Sequence, residues 1–414
     1  MADIVYRPVT EEEYPAFAKA FVEGFSDDVP GDGFVDSAKA MLPPERTLAA
    51  FDGDEIVGTF AGLDLEVTVP GGHLPMEGTT VVTVFPTHRR MGLMNEMMRV
   101  HLDTAVANGY AIAGLWASES SLYGRYGYGA STFSNTVKMV GSRIRFRDEI
   151  EIGRVRRVDV NEALNIISPI FDDVCARTPG VFARDDTWWQ AGPLNDADWT
   201  KRGKTSRRVV VHDGPDGPDG YVIYRQQSSE ADDGHANGTV HISELVAASD
   251  RAHTALWHYV THVDGCPNVR YWNSPIDDPL AMKVVAPRRV SIAATFDALW
   301  IVLLDVVVAL EARTYERDGS LRFSVASPFR PEAEGVYEMV VNNGVASVER
   351  ATGETYMEDA DFELDIDVLG ALYLGGGDAH AYASGSRVRG DATSVALLHD
   401  LFHTARAPWC NEVF

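Results

Sequence analysis

Residues 81–94, VVTVFPTHRRMGLM, place a β-branched strand directly before a basic turn that contains glycine, and a helical pattern follows. The first N–H groups of a helix have no partners within it and carry the positive end of its dipole, so such a turn can bind phosphate. Arg89 and Arg90 add charge, and a guanidinium can bind phosphate through two parallel hydrogen bonds. The segment therefore predicts an anion site around Gly92, although paired arginines on a turn are more often only solvated.

The residues around this segment alternate between strand-like and helix-like runs. Thr10 can cap a helix over residues 10–25, and a second helix begins near Arg90 and stops at Gly109. Strands are predicted at residues 4–8, 47–51, 56–69, 79–84 and 112–116. This order predicts a domain of the α/β or α+β class.

The length of 414 residues exceeds the size at which one hydrophobic core stops growing, so we expect two or three domains. Hydrophobic residues at 45% and charged residues at 23% are typical of globular proteins. The formal charge of −25 disfavours nucleic acid and anionic lipid as partners and favours cationic small molecules or basic protein tails. On charge alone, acidity that serves only solubility is an equally good explanation.

The start of the chain lacks a basic segment followed by an apolar one, so no secretory signal is expected. The apolar residues 298–309 are interrupted by Asp305 and fall short of the roughly 20 residues that span a bilayer. We therefore expect no membrane span and predict a buried helix there. Cys175, Cys266 and Cys410 lie far apart and form no CxxC motif, which favours a reducing, cytoplasmic location.

The later chain begins a new unit near Arg154, where a strand-like and a helix-like run repeat the opening order. His258 and His262 have a spacing compatible with a metal, but no third ligand is evident, so we predict no metal site. The basic residues within 201–208 are predicted to be a solvated loop. Beyond Phe296 the pattern changes again, which predicts a third domain.

The segment 81–94 resembles the acetyl-CoA motif of the GCN5-related N-acetyltransferases (GNAT), in which V-x-V-x-P precedes (Q/R)-x-x-G-x-(G/A). Val82, Val84, Arg89 and Gly92 match this motif, as does the proline at position 86, whereas Met94 departs from the small final residue. The form RRxGL(L/M) resembles the enhanced intracellular survival (Eis) branch of that family. The resemblance implies that acetyl-CoA contacts main-chain atoms of Val82 and Val84. It also implies a phosphate-binding turn formed by Arg89, Arg90, Gly92 and Leu93.

A second motif, LYGRYGYG at residues 122–129, resembles the family element that carries the catalytic tyrosine, which falls on Tyr123. A thiol has a pKa of about 8.5 and tyrosine one of about 10, so a hydrogen-bonded tyrosine can protonate the departing thiolate. Tyr123 is therefore the expected general acid. Tyr126 and Tyr128 are predicted to be packed aromatic residues.

The chain ends in PWCNEVF, and Trp409 and Phe414 are too apolar for a frayed tail. Similarity to the Eis branch implies that the Phe414 carboxylate enters the active site and receives the proton of the substrate amine. A carboxyl of pKa ~3.5 and an ammonium near ~10 differ by roughly 6 units, or ~8 kcal/mol. We therefore favour transfer through water together with attraction of the cation.

An acidic loop near the start of the chain, with Phe85 and the C-terminus, is predicted to line a pocket for a polycation. Solvated loop acids are the common alternative. The branch resembles enzymes that acetylate several amines of one aminoglycoside, which need a wide negative pocket. The predicted substrate-binding residues are Asp27, Asp28, Phe34, Phe85 and Glu412.

The resemblance covers the whole chain and implies three domains: a catalytic GNAT domain (residues 1–150), a second GNAT-like domain without the cofactor turn (151–290), and a sterol carrier protein-like α/β domain (291–414). It implies an N-acetyltransferase that uses acetyl-CoA, acts on primary amines and forms a homo-oligomer, expected as a hexamer. The alternatives are a protein lysine acetyltransferase and a non-catalytic acyl-CoA or lipid-binding protein.

Overall fold

The computed structural model describes residues 4–148, 151, 153–351 and 360–414. The chain divides into two compact units. The first comprises residues 1–132, 179–182 and 297–414, and the second comprises residues 133–178 and 183–296.

The elements up to residue 132 all belong to the first unit. The strands are β1 (Ile4–Arg7), β2 (Thr47–Asp52), β3 (Glu55–Val69), β4 (Gly72–Val84), β5 (Ile112–Trp116) and β6 (Gly129–Ala130). The helices are α1 (Tyr14–Gly24), α2 (Phe34–Met41), α3 (Leu93–Ala107) and α4 (Ser120–Tyr123), and 3₁₀ turns cover Pro44–Arg46, Pro86–His88 and Gly124–Tyr126.

The elements that follow form the second unit. Its strands are β7 (Phe133–Val140), β8 (Val155–Val158), β9 (Arg208–Gly214), β10 (Gly217–Gln227), β11 (Thr239–Ala247), β12 (Asn268–Pro275) and β13 (Ser291–Asp297). Its helices are α5 (Val160–Cys175), α6 (Asp186–Ala191), α7 (Asp198–Lys201), α8 (Asp250–Thr261) and α9 (Leu280–Lys283).

The remaining elements return to the first unit. The strands are β14 (Leu299–Leu303), β15 (Gly319–Ala326), β16 (Gly335–Asn342), β17 (Val345–Arg350), β18 (Phe362–Asp365) and β19 (Val388–Gly390). The helices are α10 (Val306–Glu311), α11 (Ile366–Leu372), α12 (Ala379–Ser384) and α13 (Ala392–Phe402).

The larger sheet of the first unit has the order β1-β2-β3-β4-β5-β14-β6. Its central strands β4 and β5 are parallel but pair over only three residues, from Met76 opposite Ile112 to Gly78 opposite Gly114. Beyond Gly78 the two strands have no paired residues, and β5 pairs with β14 on its other side. This opening between two parallel strands positions the candidate site.

A five-stranded sheet with the order β17-β16-β15-β18-β19 completes the first unit. Helix α11 packs closely on β14 and β6. A Cβ atom at Gly129 would lie 1.7 Å from the Asp367 carbonyl oxygen, and one at Gly370 would lie 2.1 Å from the Ile301 oxygen. Glycine at these positions is what allows the C-terminal region to pack directly on the first sheet.

The sheet of the second unit has the order β13-β7-β12-β11-β10-β9-β8. Its strands β11 and β12 are parallel and pair from Thr239 opposite Asn268 to Ile242 opposite Tyr271. The chain therefore leaves the first sheet after β6 and returns to it at β14. The contiguous domain limits stated above stay a prediction. The first sheet takes β14 from beyond the second unit, and the sheet of the second unit consists of the consecutive strands β7 to β13.

The buried helix predicted for residues 298–309 is wrong. These residues form β14 and the start of α10, because Ile301 and Val302 favour a strand and Asp305 caps the helix that follows. The Asp305 side chain accepts a hydrogen bond from the Val308 N–H at 3.0 Å. Within the described residues, no helix combines the length and the apolarity that crossing a bilayer requires.

Candidate functional site

Strand β4 contains a bulge just before the basic turn. Val81 has a φ of +46°, which is strained for a β-branched residue, and the pairing with β3 shifts register here. The Thr59 hydroxyl donates to the Val81 carbonyl oxygen at 2.7 Å and so holds the bulge in place. Sequence reasoning missed this feature, because valine gives no local signal for a left-handed conformation.

The end of β4 presents main-chain groups to the opening. Phe85 donates its N–H to Val57 of β3 at 2.9 Å, and main-chain direction alternates along a strand. The groups of Val82 and Val84 therefore face away from β3, toward the opening. The Val84 carbonyl oxygen accepts a hydrogen bond from the Arg89 Nε at 3.3 Å. The Val84 N–H and both main-chain groups of Val82 remain to face the opening.

Two left-handed residues shape the basic turn. Arg90 has a φ of +65° and Gly92 one of +88°. A Cβ atom at Gly92 would meet nothing within 4 Å, so backbone conformation rather than space requires glycine there. His88, which lies 3.2 Å from the Asp52 carboxylate, ties the turn to β2.

Helix α3 starts at Leu93 without a side-chain cap, since Gly92 occupies the N-cap position. Its first N–H groups are consequently unsatisfied by the helix itself and carry partial positive charge. They face a cavity of about 690 Å³. The cavity is lined by all six residues predicted to bind the cofactor: Val82, Val84, Arg89, Arg90, Gly92 and Leu93.

The corresponding helix of the second unit, α8, begins differently. The Ser249 side chain accepts from the Ala252 N–H at 3.0 Å and donates to Asp219 at 2.6 Å. The helix thus satisfies its own start with a neutral side chain, and only two residues separate β11 from α8. This start lacks the basic turn that precedes α3, and its cap already occupies one of its N–H donors, that of Ala252.

The wall opposite α3 comes from the segment after β5. Ser118, Leu122 and Tyr126 line the cavity, and the Tyr126 hydroxyl donates to Asn95 Oδ1 at 2.6 Å. The Tyr126 ring also packs edge-on against Phe329, with ring centroids 4.8 Å apart. Tyr126 is therefore a packed aromatic residue that in addition fixes the first turn of α3, a contact that sequence reasoning missed.

Tyr123 lies just behind this wall, with 3% of its surface exposed. Its ring packs edge-on against Tyr128 at 6.3 Å, and its hydroxyl interacts with the side chain of Ser118, which lines the cavity. Burial raises the pKa of Tyr123 above its ordinary value, and the contact with Ser118 offsets this only in part. The phenol is consequently protonated at neutral pH.

A series of buried, hydrogen-bonded side chains connects the tyrosine-containing segment to β4 and α3. The Tyr128 hydroxyl is 2.9 Å from the Thr79 hydroxyl, which is 2.9 Å from His101 Nε2. Burial lowers the pKa of His101 to about 3, so its imidazole is neutral, and Arg46 bonds the adjacent Glu77 at 2.7 Å. This series ties the tyrosine-containing segment to β4.

The C-terminal tail packs within the first unit. Trp409 donates its N–H to Pro179 at 2.9 Å, and the Trp116 indole donates to Cys410 Sγ at 3.3 Å. The Phe414 ring packs against Phe182 at 5.3 Å and lies 3.2 Å from the position of a Cβ on Gly78. The last residue of the chain therefore lies at the point where β4 and β5 separate.

The predicted substrate-binding residues do not line the 690 Å³ cavity. Asp27 and Asp28 are exposed between α1 and α2, and Phe34 packs against Phe21 with ring centroids 6.0 Å apart. Phe85 is half-buried after β4, and Glu412 is 7% exposed in the tail. The cavity takes Gly24 and Phe25 from the end of α1 instead.

Family models match the chain in three places. An acetyltransferase (GNAT) domain matches residues 5–131, a second acetyltransferase (GNAT) domain matches residues 180–313, and a sterol carrier protein domain matches residues 306–411. This order confirms the predicted α+β fold class of two GNAT-like domains followed by a carrier-like domain.

Relatives match over nearly the full length. An uncharacterized N-acetyltransferase of Streptomyces avermitilis is 34% identical over 426 residues, covering 100% of this chain and 99% of that protein. The N-acetyltransferase Eis of Mycobacterium tuberculosis is 29% identical over 390 residues, covering 92% of both.

The fold agrees with solved structures over almost the whole of both chains. Eis1 from Mycobacterium abscessus superimposes with a TM-score of 0.85 at 28% identity, covering 99% of this chain and 100% of that one. The fold is shared with a GCN5-related N-acetyltransferase from Anabaena variabilis, with a TM-score of 0.83 at 20% identity, over 99% of this chain and 100% of that one. The chain therefore belongs to the Eis family of GCN5-related N-acetyltransferases and is an acetyltransferase.

Proposed function

We propose that this enzyme transfers the acetyl group of acetyl-CoA to primary amines of polycationic small molecules, including aminoglycosides at more than one amine. The observation that carries the proposal is the cavity at the uncapped start of α3, beside the opening between β4 and β5. Acetyl-CoA offers a pyrophosphate and an extended amide-containing arm, and these two features fit a phosphate-binding turn and an unpaired strand edge.

The residues of the turn divide this work. The N–H groups at Leu93 and the guanidinium of Arg90 would hold the pyrophosphate, because both offer positive charge to the same side of the turn. Val82 and the N–H of Val84 would pair with the pantetheine amides in place of a neighbouring strand. The hydrogen bond from Arg89 to Val84 keeps the end of that strand edge in position.

The acceptor class follows from the charge of the molecule and from the position of the tail. A chain of formal charge −25 attracts cationic acceptors, and Asp27 and Asp28 add exposed acids near the end of α1. Phe414 lies at the strand opening, so its carboxylate would be available to an ammonium group that approaches the thioester.

Acetylation of an ammonium requires two protons to leave the nitrogen and one to reach the departing sulfur, so one proton is released to solvent overall. Acetyl-CoA supplies an activated thioester carbonyl, whose carbon forms the new bond to nitrogen as the carbon–sulfur bond breaks. The Phe414 carboxylate attracts the ammonium, which loses one proton through water to bulk solvent, because a direct transfer to the carboxylate faces roughly 6 pKa units of mismatch. The neutral amine then attacks, and its nitrogen releases a second proton through water as the carbon–nitrogen bond forms. Tyr123 then protonates the thiolate, directly or through Ser118, and regains its proton from solvent.

The resemblance to the Eis branch supports three further proposals. We place the reaction in the cytoplasm, and the three cysteines are consistent with this, since all are buried without a disulfide. We propose a homo-oligomer, specifically a hexamer. In the described part of the chain, no group of three or more potential ligands is arranged to hold a metal ion, and the proposed reaction uses none.

The acceptor class is tested by incubating the full-length enzyme with acetyl-CoA and a panel of aminoglycosides, polyamines and basic peptides. Thiol release and product mass are recorded for each acceptor. We expect acetylated aminoglycosides, with more than one acetyl group on some. Modification of basic peptides alone would instead make the enzyme a protein lysine acetyltransferase.

The role of Tyr123 is tested by Tyr123→Phe. General acid catalysis contributes about 10²–10⁴-fold, so kcat should fall by that factor while acetyl-CoA affinity is retained. The raised pKa of Tyr123 also predicts that no loss of rate from its ionisation occurs below about pH 10 in the parent enzyme.

Tyr126→Phe is the matched control, because it removes a hydroxyl from the same segment but breaks the bond to Asn95. It should weaken acetyl-CoA binding more than it lowers kcat. A Tyr123→Phe enzyme with the parent kcat and pH profile would remove the assigned role.

The role of the terminus is tested by appending a short Gly-Ser segment after Phe414. Turnover should be abolished, because the carboxylate is displaced from the strand opening, whereas acetyl-CoA affinity should be intact. The same segment added before Met1 is the control and should leave turnover unchanged. Parent activity in the C-terminally extended enzyme would contradict the proposal.

A further inference from the structure

A row of basic side chains crosses the sheet of the second unit. Arg225 of β10 lies opposite His241 of β11, and His241 lies opposite Arg270 of β12. Arg270 in turn lies opposite Lys138 of β7. Because neighbouring strands are about 4.8 Å apart, this basic row extends over about 14 Å.

The basic row occupies the side of the sheet that faces away from α8. Side chains alternate along a strand, and the neighbours Val137, Met139, Val269 and Tyr271 belong to the core that includes Trp257 of α8. Lys138 and Arg270 are exposed on the opposite side, whereas Arg225 is buried. The row is therefore a continuous feature of one sheet face.

This arrangement costs stability unless something compensates for it. Like charges directly opposite each other on neighbouring strands repel. The chain has 61 acidic residues against 36 Lys and Arg, so compensating acids are plentiful in the sequence. Asp196 bonds Arg225 at 2.6 Å at one end of the row.

Two cavities of about 610 and 200 Å³ lie along the basic row and share His241 and Arg270. Among the described residues, no Asp or Glu side chain lines either cavity. The larger cavity is also lined by three further basic residues, Arg143, Arg288 and Arg289. The smaller cavity is also lined by Lys204 and Arg207. The lining is that of an anion site in an acidic protein.

The electrostatic effect of these basic side chains is visible in the pKa values of their neighbours. Burial, followed by repulsion from nearby arginines, lowers the pKa of Lys204. Burial and the charges of Lys204 and Arg270 lower the pKa of His241. The solvated loop predicted for residues 201–208 is wrong for Arg207, which is partly buried and donates to the Asn195 oxygen at 2.7 Å.

The row lies at the paired ends of β11 and β12, between Thr239 and Tyr271. In the first unit, the cofactor cavity lies beyond the paired residues of β4 and β5, where the strands have separated. The basic row therefore lies within the paired part of β11 and β12, one residue before these strands separate. The first-unit cavity differs in position, since Val82 and Val84 line it four or more residues beyond the last paired residue, Gly78.

We propose that the second unit binds a small molecule with two or more phosphoryl groups across the basic row of Arg225, His241, Arg270 and Lys138. Cavities of this size suit a small ligand, whereas the charge of −25 opposes a long nucleic acid or an anionic bilayer. Phosphoryl oxygens would form charge-assisted hydrogen bonds with the exposed Arg270 and Lys138. Arg225, whose guanidinium is already bonded to Asp196, adds its charge at the end of the row. This site is independent of acetyl transfer.

The test is calorimetric titration of the full-length protein with inorganic tripolyphosphate. The background variant Arg89→Gln/Arg90→Gln is used throughout, which separates this site from the turn of the first unit. In that background we expect binding, and adding Lys138→Gln/Arg270→Gln should raise Kd at least about tenfold, because two charge-assisted contacts are lost. Without ligand, the Tm of this variant should be equal or higher, since repulsion is relieved.

Arg145→Gln/Arg251→Gln is the matched control, because it removes the same charge from exposed ion pairs elsewhere in the second unit. It should leave Kd unchanged. The proposal is overturned if tripolyphosphate does not bind at millimolar concentration or if the control weakens binding equally. It is also overturned if only single-stranded DNA or phosphatidylglycerol vesicles bind, or if the row variant changes only the oligomeric mass.

Discussion

The unsatisfied N–H groups at the start of α3 are the feature on which the cofactor site depends. Gly92, in a left-handed conformation, begins the helix without offering a side-chain acceptor, so the positive end of the dipole faces a cavity. In the second unit, Ser249 fills the equivalent place and accepts from Ala252. Each of the two sheets has a parallel pair of central strands, but the helix that follows this pair is suited to bind phosphate only in the first unit.

The rest of the first unit positions groups around that helix start. The bulge at Val81 and the short pairing of β4 with β5 open the strand edge, and Tyr126 fixes the first turn of α3 through Asn95. The C-terminal region packs on the first sheet through Gly129 and brings the chain end to the opening. A residue more than 300 positions away from the turn thus lies beside the same strands.

Local features of the site were predictable from the sequence, and distant contacts were not. A strand followed by RRxG and a helix is a local pattern that determines the conformation of the turn. Arg89 and Gly92 accordingly line one cavity. Their contact with acetyl-CoA stays a prediction. The bond between Tyr126 and Asn95 joins residues 31 positions apart and has no sequence signature. Residues 298–309 failed as a helix because apolar periodicity alone does not distinguish a short buried strand from a helix.

The central claim is that acetyl-CoA binds at the start of α3 and not at the start of α8. Hydrogen–deuterium exchange of the full-length protein, with and without acetyl-CoA, measures this most directly. We predict slower exchange at the amides of residues 90–96 and unchanged exchange at residues 248–254. Protection of residues 248–254, or none at residues 90–96 under saturating acetyl-CoA, would contradict the account.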